Sequence, residues 1–230
     1  MAEFKVCSLE GTHYVDCHLQ NESMRAEAGA LCYMHGDIKI RSQLLVAPWT
    51  WLKCQLADEA VHRPTFTGTG VVTLEASLGG FHVLELNHEA WILEKGTYWA
   101  SESSVNVSYH REAILTSFWA GEGLIYLQTR VEGTGKVVVS TMGPAEEMVL
   151  ESGQTVSCDG TYVIGRHSEV GFKMRRATAN FFGRNNAKEG MLRVYTGPGR
   201  VLINPAPYWR YKIFTERMKN KNYPSQATLS

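Results

Sequence analysis

The sequence predicts an all-β fold. Three observations carry that expectation: apolar and polar residues alternate at period two, glycines mark the breaks between alternating runs, and one order of elements recurs three times. In Gly123–Val131, the residues Ile125, Leu127, Thr129 and Val131 fall on one face of an extended strand, and Leu124, Tyr126, Gln128 and Arg130 on the other. Val105, Val107 and Tyr109 alternate with Asn106, Ser108 and His110. Val170, Phe172 and Met174 alternate with polar or glycine positions. Such runs fit a sheet with one covered face. Glycine (21 residues) outnumbers proline (7), which favours tight turns over rigid linkers.

The recurring unit has two parts. The first opens on a leucine and a turn: Leu19-Gln-Asn-Glu22, Leu93-Glu-Lys-Gly96 and Leu150-Glu-Ser-Gly153, each followed by an alternating strand. The second part is an aromatic, a glycine, a strand, a glycine turn and a return strand. It starts at Phe66, Phe118 and Phe182, and its turns are read as Gly79-Gly80, Gly133-Thr-Gly135 and Gly197-Pro-Gly199. These copies divide residues 1–207 into three imperfect repeats, about 13–86, 87–140 and 147–205. No single copy can bury its own apolar face. Together they predict one closed, prism-like β domain, with a plain β-sandwich as the alternative.

Two stretches depart from the pattern. Residues 41–65 form an insertion carrying Leu44, Pro48, Trp49 and Trp51, in which residues 49–60 can form a short helix. Residues 208–230 form a basic, aromatic tail, set off by Pro205 and Pro207 and also able to hold a short helix.

Composition narrows the function classes. Lys+Arg (23) balances Asp+Glu (23), so no global charge draws the chain to phosphate backbones, and nucleic acid is the less favoured partner. The five cysteines are odd in number and include no C-x-x-C pair, which argues against a disulfide framework or structural zinc. No basic-apolar leader and no apolar run of about 18 residues occurs, so the expected compartment is the cytoplasm.

No catalytic constellation is recognisable, and no cofactor is predicted. His82 and His88 have an even spacing that would place both rings on one side of a strand, with Glu85 on the other. A metal site there would need a third ligand such as His110 or Asp16; surface imidazoles are the simpler reading. Cys17 and His18 are adjacent, so a strand points them to opposite faces and they cannot pair as nucleophile and base. The binding candidates are Arg25 and Glu27 as a charged pair, Trp49 and Trp51 in the insertion, and Trp209, Arg210 and Lys212 in the tail. Aromatics interleaved with cations suit base stacking or a membrane interface.

The stretch Glu22-Ser-Met-Arg-Ala-Glu-Ala-Gly-Ala-Leu-Cys-Tyr-Met34, with Phe66-Thr-Gly68, Gly121-Glu-Gly-Leu124 and Tyr195-Thr-Gly-Pro-Gly-Arg-Val201, resembles the altered inheritance of mitochondria protein 24 family and its bacterial relatives. The similarity runs in order over most of residues 13–207. It implies a β fold related to the tryptophan RNA-binding attenuation protein, homo-oligomers in some members, and no established enzymatic activity. The fungal member is linked to mitochondrial inner-membrane organisation. Residues 41–65 depart from the family pattern: they lack its glycine-rich loop. The resulting expectation is a non-enzymatic scaffold that self-associates and docks on a protein complex or a membrane surface. The alternative is a binding module for a small ligand or single-stranded RNA.

Overall fold

The computed structural model describes residues 2–41, 63–112, 126–159, 162–176 and 191–206, and all regular structure among them is strand. The strands are β1 (Glu3–Leu9), β2 (Thr12–Ala26), β3 (Leu31–Arg41), β4 (Thr65–Ser77), β5 (Phe81–Leu93), β6 (Tyr98–Glu102), β7 (Asn106–Glu112), β8 (Tyr126–Ser140), β9 (Glu146–Leu150), β10 (Thr155–Asp159), β11 (Val163–His167), β12 (Gly171–Arg176), β13 (Met191–Thr196) and β14 (Gly199–Ile203). The fold class is all-β and antiparallel. The insertion and the tail lie outside the described residues.

A larger sheet follows the path β3-β4-β2-β6-β8-β5-β11-β14-β9, with β1 added to β2 and β7 to β8; a smaller one is β10-β13-β12. No closed barrel forms among the described strands, so the closed prism expected from the sequence is not found. The path ends at β3 on one side and β9 on the other. The chain leaves the smaller sheet after Thr196, passes Gly197-Pro198 and enters the larger sheet at Gly199, and neither sheet closes on itself among the described strands.

The long strands β2 and β5 each carry one extra residue. Gln20 pairs with Thr69 and Glu22 with Gly68, which leaves Asn21 unopposed. Asn87 pairs with Thr134 and Glu89 with Gly133, which leaves His88 unopposed. Both bulged residues have positive φ, 58° at Asn21 and 54° at His88. Each backbone N–H donates to a threonine Oγ1 on the facing strand, Asn21 to Thr69 at 3.0 Å and His88 to Thr134 at 3.2 Å. A one-residue bulge reverses which parity of the strand points inward. In β2 the core residues are Val15, Cys17 and Leu19 before the bulge, and Met24 and Ala26 after it. In β5 they are Leu84 and Leu86 before, and Trp91 and Leu93 after.

A matching contact stands beside each bulge and again in the third unit: Leu19 faces Gly70, Leu86 faces Gly135 and Leu150 faces Gly199. This corrects the sequence alignment in two ways. Gly133-Thr-Gly135 is not a turn, because β8 runs through it unbroken. The segment of the second copy matching Leu19-Gln-Asn21 is Leu86-Asn-His88, not the stretch after Leu93. Glycine is required at Gly135, where a Cβ would lie 2.6 Å from Glu102 Oε2 and 2.8 Å from Ser104 Oγ.

Three apolar clusters result. The first gathers Phe4, Val15, Leu19, Met24, Phe66, Val72, Leu74 and Val138. The second gathers Leu84, Trp91, Leu93, Tyr98, Val131, Val137 and Val139. The third, around Leu150, Val170, Tyr195 and Val201, covers the smaller sheet. A buried carboxylate joins the two sheets. Glu94, just past β5, accepts from Gln128 Nε2 of β8 at 3.0 Å and lies 2.8 Å from Arg193 Nη1 of β13. The Arg193 contact is an ion pair by distance, without an N–H aligned on the oxygen.

Two stability outcomes follow. His88→Gly, which relieves the left-handed backbone, is expected to leave the urea midpoint unchanged or raised; His88→Val is expected to lose about 1–2 kcal/mol. Arg193→Ala, which strands a buried carboxylate, is expected to cost about 3–5 kcal/mol in the same measurement.

Candidate functional site

Arg25 and Glu27, the charged pair singled out in the sequence, do not pair with each other. Arg25, near the end of β2, donates from Nη1 to the Val105 carbonyl at 2.7 Å. Glu27 instead meets Arg63, whose Nε is 3.3 Å from Glu27 Oε2. The Arg63 guanidinium also covers the Tyr98 ring at 4.9 Å and the Tyr109 ring at 5.6 Å. Tyr98 is fully buried, its hydroxyl 3.0 Å from Ser101 Oγ. Burial pushes its pKa up to about 12, so it stays a neutral phenol. The group ties β2, β6 and β7 together. The other candidates, Trp49, Trp51, Trp209, Arg210 and Lys212, lie outside the described residues.

The densest ionic cluster was not singled out in the sequence. Arg200 of β14 grips Glu89 of β5 through both carboxylate oxygens, at 2.6 and 2.7 Å, and Glu147 of β9 at 2.7 Å. Nη2 alone meets both Glu89 oxygens while Nη1 serves Glu147, so one guanidinium bridges two carboxylates in short charge-assisted bonds. The Glu89 hydrogen bonds raise the Arg200 pKa further. The guanidinium stacks 5.3 Å over the Trp91 ring, and His167 meets that ring edge-on at 6.3 Å while its Nε2 stands 3.6 Å from Glu89. His82 Nε2 lies 3.9 Å from Glu147. Sequence placed Arg200 in a glycine motif and Glu89 beside a histidine, but the bulge at His88 decides that they meet.

That bulge also removes the parity argument for His82 and His88. His88 Nδ1 sits 3.2 Å from Thr134 Oγ1, while His82 faces β9. Asp16, the proposed third ligand, accepts from Thr73 Oγ1 at 2.6 Å. Among the described residues, no group of three His, Cys, Asp or Glu is placed to hold a metal ion. Cys17 is fully buried between β1 and β4, and burial drives its thiol pKa well up, which suppresses the thiolate a nucleophile needs. Cys7, Cys17, Cys32 and Cys158 are free thiols.

A cleft of about 230 Å³ opens between Ala2, Glu22, Ser23, Glu102, Ser103 and Ser104. It falls below the ~300–1,000 Å³ usual for small-molecule sites. Among the described residues, no helix is long and apolar enough to cross a membrane.

The longest strand paired on one side only among the described residues is β3. It pairs with β4 along one side and has no strand on the other among the described residues. Past a bulge at Cys32, Met34, Gly36, Ile38 and Ile40 share one parity; Tyr33, His35, Asp37, Lys39 and Arg41 share the other. Ile38 packs on the first apolar cluster, yet Met34 is 38% exposed and Ile40 45%. Both the apolar stripe and the charged one are open.

The family pattern described as Mitochondrial biogenesis AIM24 matches residues 7–206. The chain belongs to this family. A curated AIM24-like relative, an uncharacterised protein of Streptococcus pyogenes serotype M6, is 24% identical over 137 residues. That alignment spans 59% of this chain and 54% of the relative, so this AIM24 chain matches about half the relative's length. The crystal structure of a Streptococcus pyogenes protein superposes with a TM-score of 0.67 at 18% identity, over 95% of this chain and 99% of that one. The likeness extends the AIM24 fold to that protein. In this AIM24 chain, the family-like stretch from Glu22 to Met34 is the end of β2 and the start of β3. It leads from the bulge to the open edge.

The ionic cluster gives a pH expectation. Burial lowers the His82 pKa, and Glu147 only partly opposes the shift. The unfolded chain therefore binds the His82 proton more readily, and the associated stability is present above about pH 6.5 and lost as pH falls below it. Urea midpoints at pH 7.5 and 5.5 are expected to differ less in His82→Gln than in the wild type.

Proposed function

We propose that this AIM24-family protein is a non-enzymatic scaffold that self-associates through its open sheet edge and docks on another protein or a membrane surface. The observation that carries this reading is β3. It is an eleven-residue strand with no neighbour on one side among the described residues, and Met34 and Ile40 of its apolar stripe are exposed. An edge of that length is a template for a further strand. Charges and the bulge at Cys32 guard this edge against indiscriminate pairing, while Met34 and Ile40 stay exposed in line with Ile38, which supports a specific interface.

The ionisable groups support the non-catalytic half of the reading. Glu89 and Glu147 are both committed to Arg200, Glu94 to Gln128 and Arg193, and Arg25 to a backbone carbonyl. Each bond crosses between strands, so the charges serve strand placement. The Cys17 thiol is held protonated in the core.

Multi-angle light scattering tests the proposal. At micromolar concentration, the wild type is expected above monomer mass. Ile40→Glu is expected to shift it toward monomer with an unchanged urea midpoint, since Ile40 is a partly exposed side chain. A wild type that stays strictly monomeric would remove the proposal.

A further inference from the structure

We propose that the occupant of the β3 edge is β3 of a second copy of this chain, antiparallel about a two-fold axis at Ile38. This deepens the scaffold reading and rests on its self-association. The inference comes from the order of charges along the strand. In an antiparallel pair centred on Ile38, that residue faces its own copy, Asp37 faces Lys39, Gly36 faces Ile40, and His35 faces Arg41. The Asp37–Lys39 pair occurs twice by symmetry, and Arg41 of the second copy lies diagonally beside Asp37. Asp37 and Lys39 are both exposed, and neither makes an ion pair among the described residues.

Other centres match the charges less well. A centre at Asp37 sets two carboxylates together, and a centre at Lys39 two ammonium groups. A centre at Ile40 sets Lys39 against Arg41. A centre at Gly36 sets Asp37 against His35, which is not repulsive, but puts Lys39 against Tyr33, without the carboxylate it meets in the Ile38 register. A half-residue shift puts the apolar stripe opposite the charged one. At Ile38 the central residue meets its own copy, and Gly36, with no side chain, leaves room for Ile40 of the second copy. The opposite edge, β9, has five residues and opens with Glu146 and Glu147. It offers a shorter edge and no matching apolar row.

Asp37→Lys and Lys39→Asp, made singly, are each expected to raise the dimer dissociation constant by about tenfold or more, because each sets like charges opposite twice. The double variant D37K/K39D restores the pairing and is expected to return to within about threefold of wild type. Sedimentation equilibrium reads both. In a Cys32→Ser background, Ile38→Cys is expected to give a covalent dimer on mild oxidation, since facing residues of an antiparallel pair lie within disulfide reach. Circular dichroism checks that each variant is folded. If Ile40→Glu dissociates the protein but the charge swap does not rescue and Ile38→Cys does not cross-link, self-association stands and this register is overturned. Ladders of higher mass without the covalent dimer would also overturn it, in favour of β3 meeting another edge. A monomeric wild type overturns both readings.

Discussion

One residue too many in β2, and one too many in β5, decides where the apolar side chains of this protein go. Each strand is long, and its bulge changes which parity faces the apolar cluster part-way along. Leu84 and Leu86 agree in parity with each other but not with Trp91 and Leu93, yet all four are buried in one cluster. The same holds for Val15, Cys17 and Leu19 against Met24 and Ala26. The facing Gly-Thr-Gly segments make the insertion possible. Their threonine hydroxyls accept the N–H group that the bulge leaves without a ladder partner, and their glycines let the strands close in.

Charge is used in a consistent way on this frame. Arg200 gathers β5 and β9 onto β14, Glu94 holds β8 and β13, and Arg63 holds the β2 end against β6 and β7. Each of these ties joins strands distant in sequence, and each is partly or wholly shielded, so its loss is felt more than that of a surface pair. The charges left out of such ties include Asp37 and Lys39 on the free edge, where the sheet has no further strand.

The fold class was legible because alternation and glycine placement are local signals. Asn106–Tyr109 and Gly171–Met174 do fall in β7 and β12, and in β12 Phe172 and Met174 are half-buried between exposed neighbours as expected. The alignment of the copies was less legible. Gly133-Thr-Gly135 looks like a hairpin turn, since positive φ serves turns and close strand approach equally well, and only the partner strand distinguishes them. The extra residue at His88 has little signal of its own: histidine visits the left-handed region more than most side chains do, but still uncommonly. Its effect on parity hid both the true surroundings of His82 and the meeting of Glu89 with Arg200. Arg25 and Glu27 were picked as a pair because they are neighbours on a strand, but their real partners, Val105 and Arg63, are 80 and 36 residues away. Edge status is likewise a property of the whole sheet, and no single strand carries it in its own sequence.

The placement of β8 has a consequence for how the molecule comes apart. Its consecutive residues Val137, Val138 and Val139 are fully buried, the outer two in the second cluster and the middle one in the first. A single strand is thus the common wall of two interiors. Neither interior can loosen without pulling the wall from the other, so the first and second clusters are expected to melt together as one cooperative unit.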